Sequence, residues 1–167
     1  MTGREFIVRP GRRGDAADAA RLWVQSAGEH TAHDPIYSTS PEAEKTMRRF
    51  LSDLTGSSHS FLFVAILDGE TIGFISGDLR EGSPTFHPKT WASVDDVYVA
   101  AEYRSLGVGR ALLRNVEAWA REKGASGISL QVAAANHRGR AFYERLGFRE
   151  VSIYEILEFE KGGDEPS

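Results

Sequence analysis

The run Val97-Tyr98-Val99-Ala100-Ala101-Glu102-Tyr103-Arg104-Ser105-Leu106-Gly107-Val108-Gly109-Arg110-Ala111-Leu112-Leu113 constrains this chain more than any other stretch. It reads as a buried strand, a short loop with two glycines, and the start of an amphipathic helix. A strand feeding a glycine loop that opens a helix aims several backbone N–H groups at one point. The helix dipole adds partial positive charge there. The result suits an anion, and phosphate or pyrophosphate best of all. Gly107 and Gly109 allow close approach because no Cβ intervenes. Arg104 and Arg110 add charge suited to phosphate. The same pattern also serves as a plain tight connection between strand and helix. Two common phosphate loops do not fit. No Lys-Ser or Lys-Thr follows Gly109, and no third glycine has the dinucleotide spacing.

At 167 residues the chain holds one well-buried core and is short for two. A formal net charge of −4 opposes non-specific nucleic-acid binding, which rests on basic patches. Without cysteine there is no disulfide framework, zinc-thiolate site or cysteine nucleophile. That composition fits a reducing compartment. The N-terminus shows no signal-peptide pattern, and no apolar run approaches a membrane span, so a cytoplasmic location is expected.

A first strand is expected at Glu5–Arg9, ended by Pro10-Gly11. Asp15 is expected to cap a helix that stops near Gly28. Glu29–Thr39 lacks periodicity and reads as a loop. Ser40-Pro41 then reads as the N-cap and first residue of a second helix through Met47, Phe50, Leu51 and Leu54. Phe61–Leu67 and Thr71–Leu79 form a hairpin about Asp68-Gly69. A central strand Trp91–Val99 leads into the glycine loop. The helix from about Gly107 to Lys123 ends at Gly124. Strand Ile128–Val132, a short helix His137–Leu146 and a last strand Phe148–Phe159 complete the order. The pattern is one α+β domain over residues 1–161, then a polar tail at 162–167.

Arg104-Ser105-Leu106-Gly107-Val108-Gly109 resembles the Arg/Gln-x-x-Gly-x-Gly/Ala signature of the GNAT superfamily of N-acetyltransferases. A second block fits the same superfamily: Leu130-Gln131-Val132, Asn136, and Ala141-Phe142-Tyr143-Glu144-Arg145-Leu146-Gly147-Phe148. The resemblance runs from about Phe6 to Phe159. It implies a mixed α/β fold with a mostly antiparallel sheet of six to seven strands, splayed between strands 4 and 5. About four helices flank that sheet. It also implies acetyl-coenzyme A as cosubstrate, without a metal, with the pyrophosphate held by Arg104, Ser105, Leu106, Gly107, Val108, Gly109 and Arg110. Ser105-Leu106 departs from the pattern, since many members carry a glycine and a basic residue there.

Acetyl transfer needs an unprotonated amine, a stabilised oxyanion and a protonated leaving thiolate. The resemblance puts Tyr143 near the coenzyme sulfur as leaving-group acid. A packing role beside Phe142 and Phe148 is the alternative. The implied splay frees N–H groups around Val97, Tyr98 and Val99 for the thioester oxygen. Asp95 and Asp96 are adjacent acids in an apolar strand, and burying them is expensive without partners or a role. Alternation turns them to opposite faces, so one of them could serve as base. Pairing with arginines is the other reading. Asn136 resembles the superfamily asparagine that contacts coenzyme A, and it also suits a helix cap. His30, His33 and Tyr37, together with Asp95, are candidates to shape the acceptor pocket.

The expected activity is direct transfer from acetyl-coenzyme A to a primary amine of a small molecule, in a ternary complex. An amine, polyamine or amino-acid-like acceptor would suit. The alternatives are acetylation of a protein N-terminus or lysine, and a non-catalytic acetyl-coenzyme A sensor. No nucleic-acid or membrane partner is expected, and a homodimer is compatible with the pattern.

Overall fold

The computed structural model describes residues 5–159, and the polar tail expected at 162–167 lies outside them. They fall into two compact units, one ending at Ala133 and the other starting at Ala134.

The first unit holds β1 (Ile7–Pro10), α1 (Ala16–His33), α2 (Ala43–Leu54), β2 (Ser60–Leu67), β3 (Glu70–Glu81), β4 (Thr90–Val99), α3 (Val108–Glu122) and β5 (Gly127–Leu130). The second holds α4 (His137–Arg145). Among the described residues the strands form one five-stranded sheet in the order β1-β2-β3-β4-β5. The first three pairings are antiparallel, and β4–β5 is parallel.

Asp68 (φ 51°) and Gly69 (φ 84°) both adopt positive φ, so the β2–β3 hairpin turns tightly with the hand its twist requires. Alternation along β2 divides the core. Leu62 and Val64 pack with Phe74, Tyr98, the alanine face of α1 (Ala16, Ala19, Ala20) and Leu51 and Leu54 of α2. Phe61 turns the other way and meets Trp119 of α3, ring centroids 4.9 Å apart. Val108, Leu112, Leu113, Val116 and Ala120 form the buried stripe of α3. Among the described residues no helix is long and apolar enough to cross a membrane.

Several expectations need correction. The sheet has five strands among the described residues, not six or seven. Phe148–Phe159 forms no strand, and Val151, Ile153, Leu157 and Phe159 are exposed. Helix α1 does not stop at Gly28 but continues to His33, so Glu29–His33 is helical. It ends where the Asp34 N–H donates to the His30 carbonyl and Pro35 begins a 3-10 turn. Helix α2 starts at Ala43 with Glu42 at its N-cap rather than at Ser40-Pro41. Asp15 makes no side-chain cap for α1. Its carboxylate instead takes both Arg9 Nη groups at 2.7 and 2.9 Å and the Arg12 N–H at 2.6 Å.

Two irregularities meet at Asp95. Ser76 pairs with Asp96 and Gly77 with Val94, so Asp95 has no partner on β3 and forms a β-bulge. Gly77 is required there, because a Cβ would collide with the Ser93 carbonyl oxygen and stand 2.6 Å from Phe61 Cζ. On the other side, parallel pairing ends at Val94–Leu130. β5 ends there at Leu130, and among the described residues β4 runs on to Val99 with no strand on that side. The Ala100 N–H donates to Ile72 on the β3 side at 2.9 Å. Ladder alternation therefore turns the Tyr98 backbone to β3, and the Val97 and Val99 backbones to the open edge.

Candidate active site

The loop after β4 forms a 3-10 turn at Ala101–Tyr103 and reaches α3 through Ser105 (φ 74°) and Gly107 (φ 84°). The departure from the superfamily pattern thus puts serine in a left-handed conformation that favours glycine. Gly107 is the N-cap of α3 and provides no side chain to its first turn. The first helical bond runs from the Ala111 N–H to the Gly107 carbonyl at 3.0 Å. The N–H groups of Val108, Gly109 and Arg110 precede it and point out of the helix end. Gly109 is the second helical residue, Arg110 is exposed at the third, and Leu106 is exposed in the loop. This donor set fits a pyrophosphate.

Arg104 has partners within the chain. Its Nε donates to the Val99 carbonyl at 2.9 Å, and Nη2 donates to Glu29 Oε1 at 2.7 Å. The guanidinium lies 5.1 Å from the Tyr98 ring centroid. The Tyr98 hydroxyl donates to the same Glu29 oxygen at 2.7 Å. Burial, with the Glu29 acceptor and its charge, pushes the Tyr98 hydroxyl up to about 12. Burial alone would raise Glu29, but donation by Arg104 and Tyr98 and the Arg104 charge outweigh it and leave Glu29 lowered.

The two acids do not face opposite ways. Asp96 accepts from Trp23 Nε1 of α1 at 2.8 Å and from Ser76 Oγ at 3.4 Å. Asp95 accepts from Arg80 Nη2 at 2.6 Å, and Arg80 Nε lies 2.8 Å from Asp78 Oδ1. Ser76, Asp78 and Arg80 share one face of β3 by alternation. Both carboxylates therefore project from the α1 face, because the bulged residue breaks the alternation. Burial raises both acids, and the neighbouring Asp95 charge raises Asp96 further. Arg80 opposes the shift of Asp95, and Trp23 opposes that of Asp96.

The profile of the Acetyltransferase (GNAT) family matches residues 25–148. The chain belongs to this family. As a GNAT member it is an acetyl-coenzyme A-dependent N-acetyltransferase. It is similar to the aminoglycoside N(6')-acetyltransferase type 1 of Stenotrophomonas maltophilia, 28% identical over 118 residues, 66% of this chain and 73% of that one. It is also similar to an N-alpha-acetyltransferase of Sulfurisphaera tokodaii, 34% identical over 98 residues, 54% of this chain and 58% of that one. Its fold resembles that of AAC(6')-Iy, whose structure is a complex with the bisubstrate analog CoA-S-monomethyl-acetylneamine. There the TM-score is 0.67 at 18% identity, covering 94% of this chain and 99% of that one.

Of the acceptor candidates in this acetyltransferase, His30 and Tyr37 meet edge-on at 5.6 Å, and His30 Nδ1 lies 2.8 Å from the Ser26 carbonyl. His30 is also near enough to Asp96 and Glu29 to draw both carboxyls down. His33, the last residue of α1, is exposed and takes no part in these contacts. Among the described residues no three His, Asp or Glu side chains group as metal ligands.

In the second unit, Asn136 Oδ1 accepts the Gly139 N–H at 2.9 Å and caps α4. Tyr143 stands edge-on to Phe142 at 5.3 Å and to Phe148 at 5.6 Å. Burial pushes its hydroxyl up to about 12.

Sequence reasoning missed Trp23, Glu29, Ser76 and Arg80 as partners of the site. A signal existed for α1. Trp23, Ser26 and His30 fall at i, i+3 and i+7, a helical stripe that continues past Gly28.

Proposed function

We propose that this GNAT enzyme acetylates a primary amine of a small cationic molecule, with Asp96 as the base. The bulge at Asp95 carries the reading. It turns two carboxylates to one face of β4 at the point where β5 leaves the strand. A cationic amine is attracted to that face. The similarity to an aminoglycoside acetyltransferase agrees with it.

Bound acetyl-coenzyme A supplies a thioester whose acetyl group an amine can attack. The N–H groups of Val108, Gly109 and Arg110 would hold its pyrophosphate, with Ser105, Leu106 and Gly107 shaping the approach. The Val97 and Val99 N–H groups at the open edge would meet the carbonyl oxygen as charge develops. Asp95, held by the Arg80 guanidinium that it shares with Asp78, orients the acceptor. Asp96, raised by burial, accepts the proton that the ammonium must lose. Tyr143 stays protonated at neutral pH and donates a hydrogen bond to the departing thiolate. Asn136, the N-cap of α4, would contact coenzyme A. Tyr37 and His33 border the acceptor entrance. The chain has no cysteine to carry an acyl group, which favours direct transfer.

A thiol-release assay across acceptors tests this. Aminoglycosides, diamines and polyamines should be turned over at least about tenfold faster, by kcat/KM, than peptides with a free N-terminus. That margin corresponds to about 1.4 kcal/mol in the barrier. A preference for peptides would favour the second reading, protein N-terminal acetylation, which the similarity to an N-alpha-acetyltransferase supports. An α-amine titrates near 7.8 and needs little help from a base, so Asp96 would then be dispensable.

A further inference from the structure

We propose that Glu29 is a positioning residue: it holds Arg104 in the place of the missing strand beside Val99, and so fixes the cofactor side of the cleft. The proposal rests on the reading that acetyl-coenzyme A lies along the open edge of β4.

A carbonyl at a strand edge needs a donor. Up to Val94, β5 lies alongside β4, and past Val94 it does not. The Val99 carbonyl nevertheless has a partner, Arg104 Nε at 2.9 Å. Arg104 therefore acts as a side-chain substitute for a neighbouring strand. It keeps β4 extended while leaving the edge at Val97 open to a ligand.

A long side chain holds such a position only if its other end is fixed. Glu29 supplies that restraint. One oxygen accepts both Arg104 Nη2 and the Tyr98 hydroxyl at 2.7 Å, and the guanidinium lies over the Tyr98 ring. Helix α1, the cofactor loop and the last residues of β4 are joined in this way. Side-chain exposure is 22% for Arg104 and 47% for Glu29. Ion pairs that open to solvent add little to stability, so the consequence is one of geometry.

The competing assignment makes Arg104 a direct phosphate ligand. The two differ in sign. If Arg104 grips phosphate, Glu29 competes for it, and Glu29→Ala should tighten acetyl-coenzyme A binding. If Glu29 positions Arg104, the same change should weaken binding.

The experiment is calorimetric titration of acetyl-coenzyme A into wild type, Glu29→Ala, Glu29→Gln, Arg104→Ala and the Glu29→Ala/Arg104→Ala double variant. Circular dichroism checks folding. Glu29→Ala should raise Kd about tenfold, the scale of one charged hydrogen bond. Glu29→Gln keeps an accepting oxygen and should lose only about two- to threefold, a neutral rather than a charged contact. The double variant should be no weaker than Arg104→Ala alone, because the two residues act as a unit. In kinetics the effect should fall on KM for acetyl-coenzyme A more than on kcat, whereas a merely destabilised fold would lose active enzyme and hence kcat. Tighter or unchanged binding in folded Glu29→Ala, or additive losses in the double variant, overturns the proposal. Should Glu29→Ala not fold, Glu29→Gln decides it by the same signs. Wild type failing to bind acetyl-coenzyme A overturns the cosubstrate reading and the proposal with it, a result distinct from failure of the Glu29 variants alone.

Discussion

Asp96→Asn changes one charge and keeps the shape, and the structure gives it two opposite consequences. The Trp23 indole N–H can still donate to the amide oxygen, so the anchor to α1 survives. Catalysis should suffer. An alkyl amine with a pKa near 10.4 is neutral in only about one molecule in 2,500 at pH 7. A positioned base removes that handicap and typically contributes about 10²–10⁴-fold. The loss in kcat/KM at pH 7 should lie in that range and shrink as pH rises. Wild type should show an acid limb above the usual carboxylate range, because burial raises Asp96. The variant should lack that limb and follow the neutral fraction of the amine.

Stability should move the other way. A carboxyl whose folded pKa is raised stabilises the fold fully below its unfolded pKa, near 3.8. That contribution is lost as pH rises through the folded value. At pH 7 the wild type therefore holds a half-buried charge beside Asp95, and asparagine removes it. Tm of the variant should exceed wild type at pH 7, by about 2–4 °C for each kcal/mol recovered. The gain should vanish below pH 3.8. Thermal melts at the two pH values and pH–rate profiles with the best amine measure both effects. A rate loss flat with pH, or a clear fall in Tm at pH 7, would refute the base assignment and leave Asp96 as the anchor of Trp23.

Gly77→Ala should lower Tm and turnover together, since the new methyl collides at the bulge; overpacking typically costs about 1–3 kcal/mol. A Tm unchanged in differential scanning would mean the register at Asp95 is wrong. Tyr143→Phe should cut turnover about 10²-fold, the lower part of the range for a positioned acid, by a ratio constant between about pH 6 and 9 because the hydroxyl titrates near 12. More than about half of wild-type turnover in steady-state kinetics would exclude it as the donor. Asp15→Asn should destabilise at neutral pH. Hydrogen bonds from Arg9 hold the Asp15 carboxyl down, so its contribution is present above 3.8 and is lost only as pH falls through the lowered folded value. Urea melts of both proteins at neutral and acid pH should show the difference disappearing in acid.

What the sequence revealed and what it hid follow from the range of the interactions. The β2–β3 turn, the Gly107 N-cap and the Gly124 stop are local, each set by residues that tolerate positive φ. Gly28 reads as a helix stop, yet α1 runs through it to His33, since glycine inside a helix costs only about 1 kcal/mol against alanine and Ala27 beside it is buried. Glu29 lies in the helix past that glycine, and its partner Arg104 is 75 residues away. A motif names the arginine but not the group that restrains it. The last segment shows the converse error. Its β-branched and aromatic residues read as a strand, yet strand propensity mostly measures fit to a half-buried surface. Val151, Ile153 and Phe159 have no such surface among the described residues.

The acid pair shows why a period-two rule fails where function concentrates. In an unbroken ladder Asp95 and Asp96 would face opposite ways, and a site built from one face could use only one of them. One inserted residue, opposite a glycine that lets the strands close, puts both on the same face. Their surroundings then separate them. Asp95 has Arg80 at 2.6 Å, a guanidinium that it shares with Asp78. Asp96 accepts from neutral donors, the Trp23 indole and the Ser76 hydroxyl, with His30 near it but not bonded to it. A carboxylate paired with a guanidinium holds an acceptor's orientation but gains little by taking a proton. One held by neutral donors in a half-buried setting takes it more readily. On the proposed mechanism, two like groups in unlike environments would divide the labour of positioning and proton transfer, a logic that paired carboxyls in active sites follow.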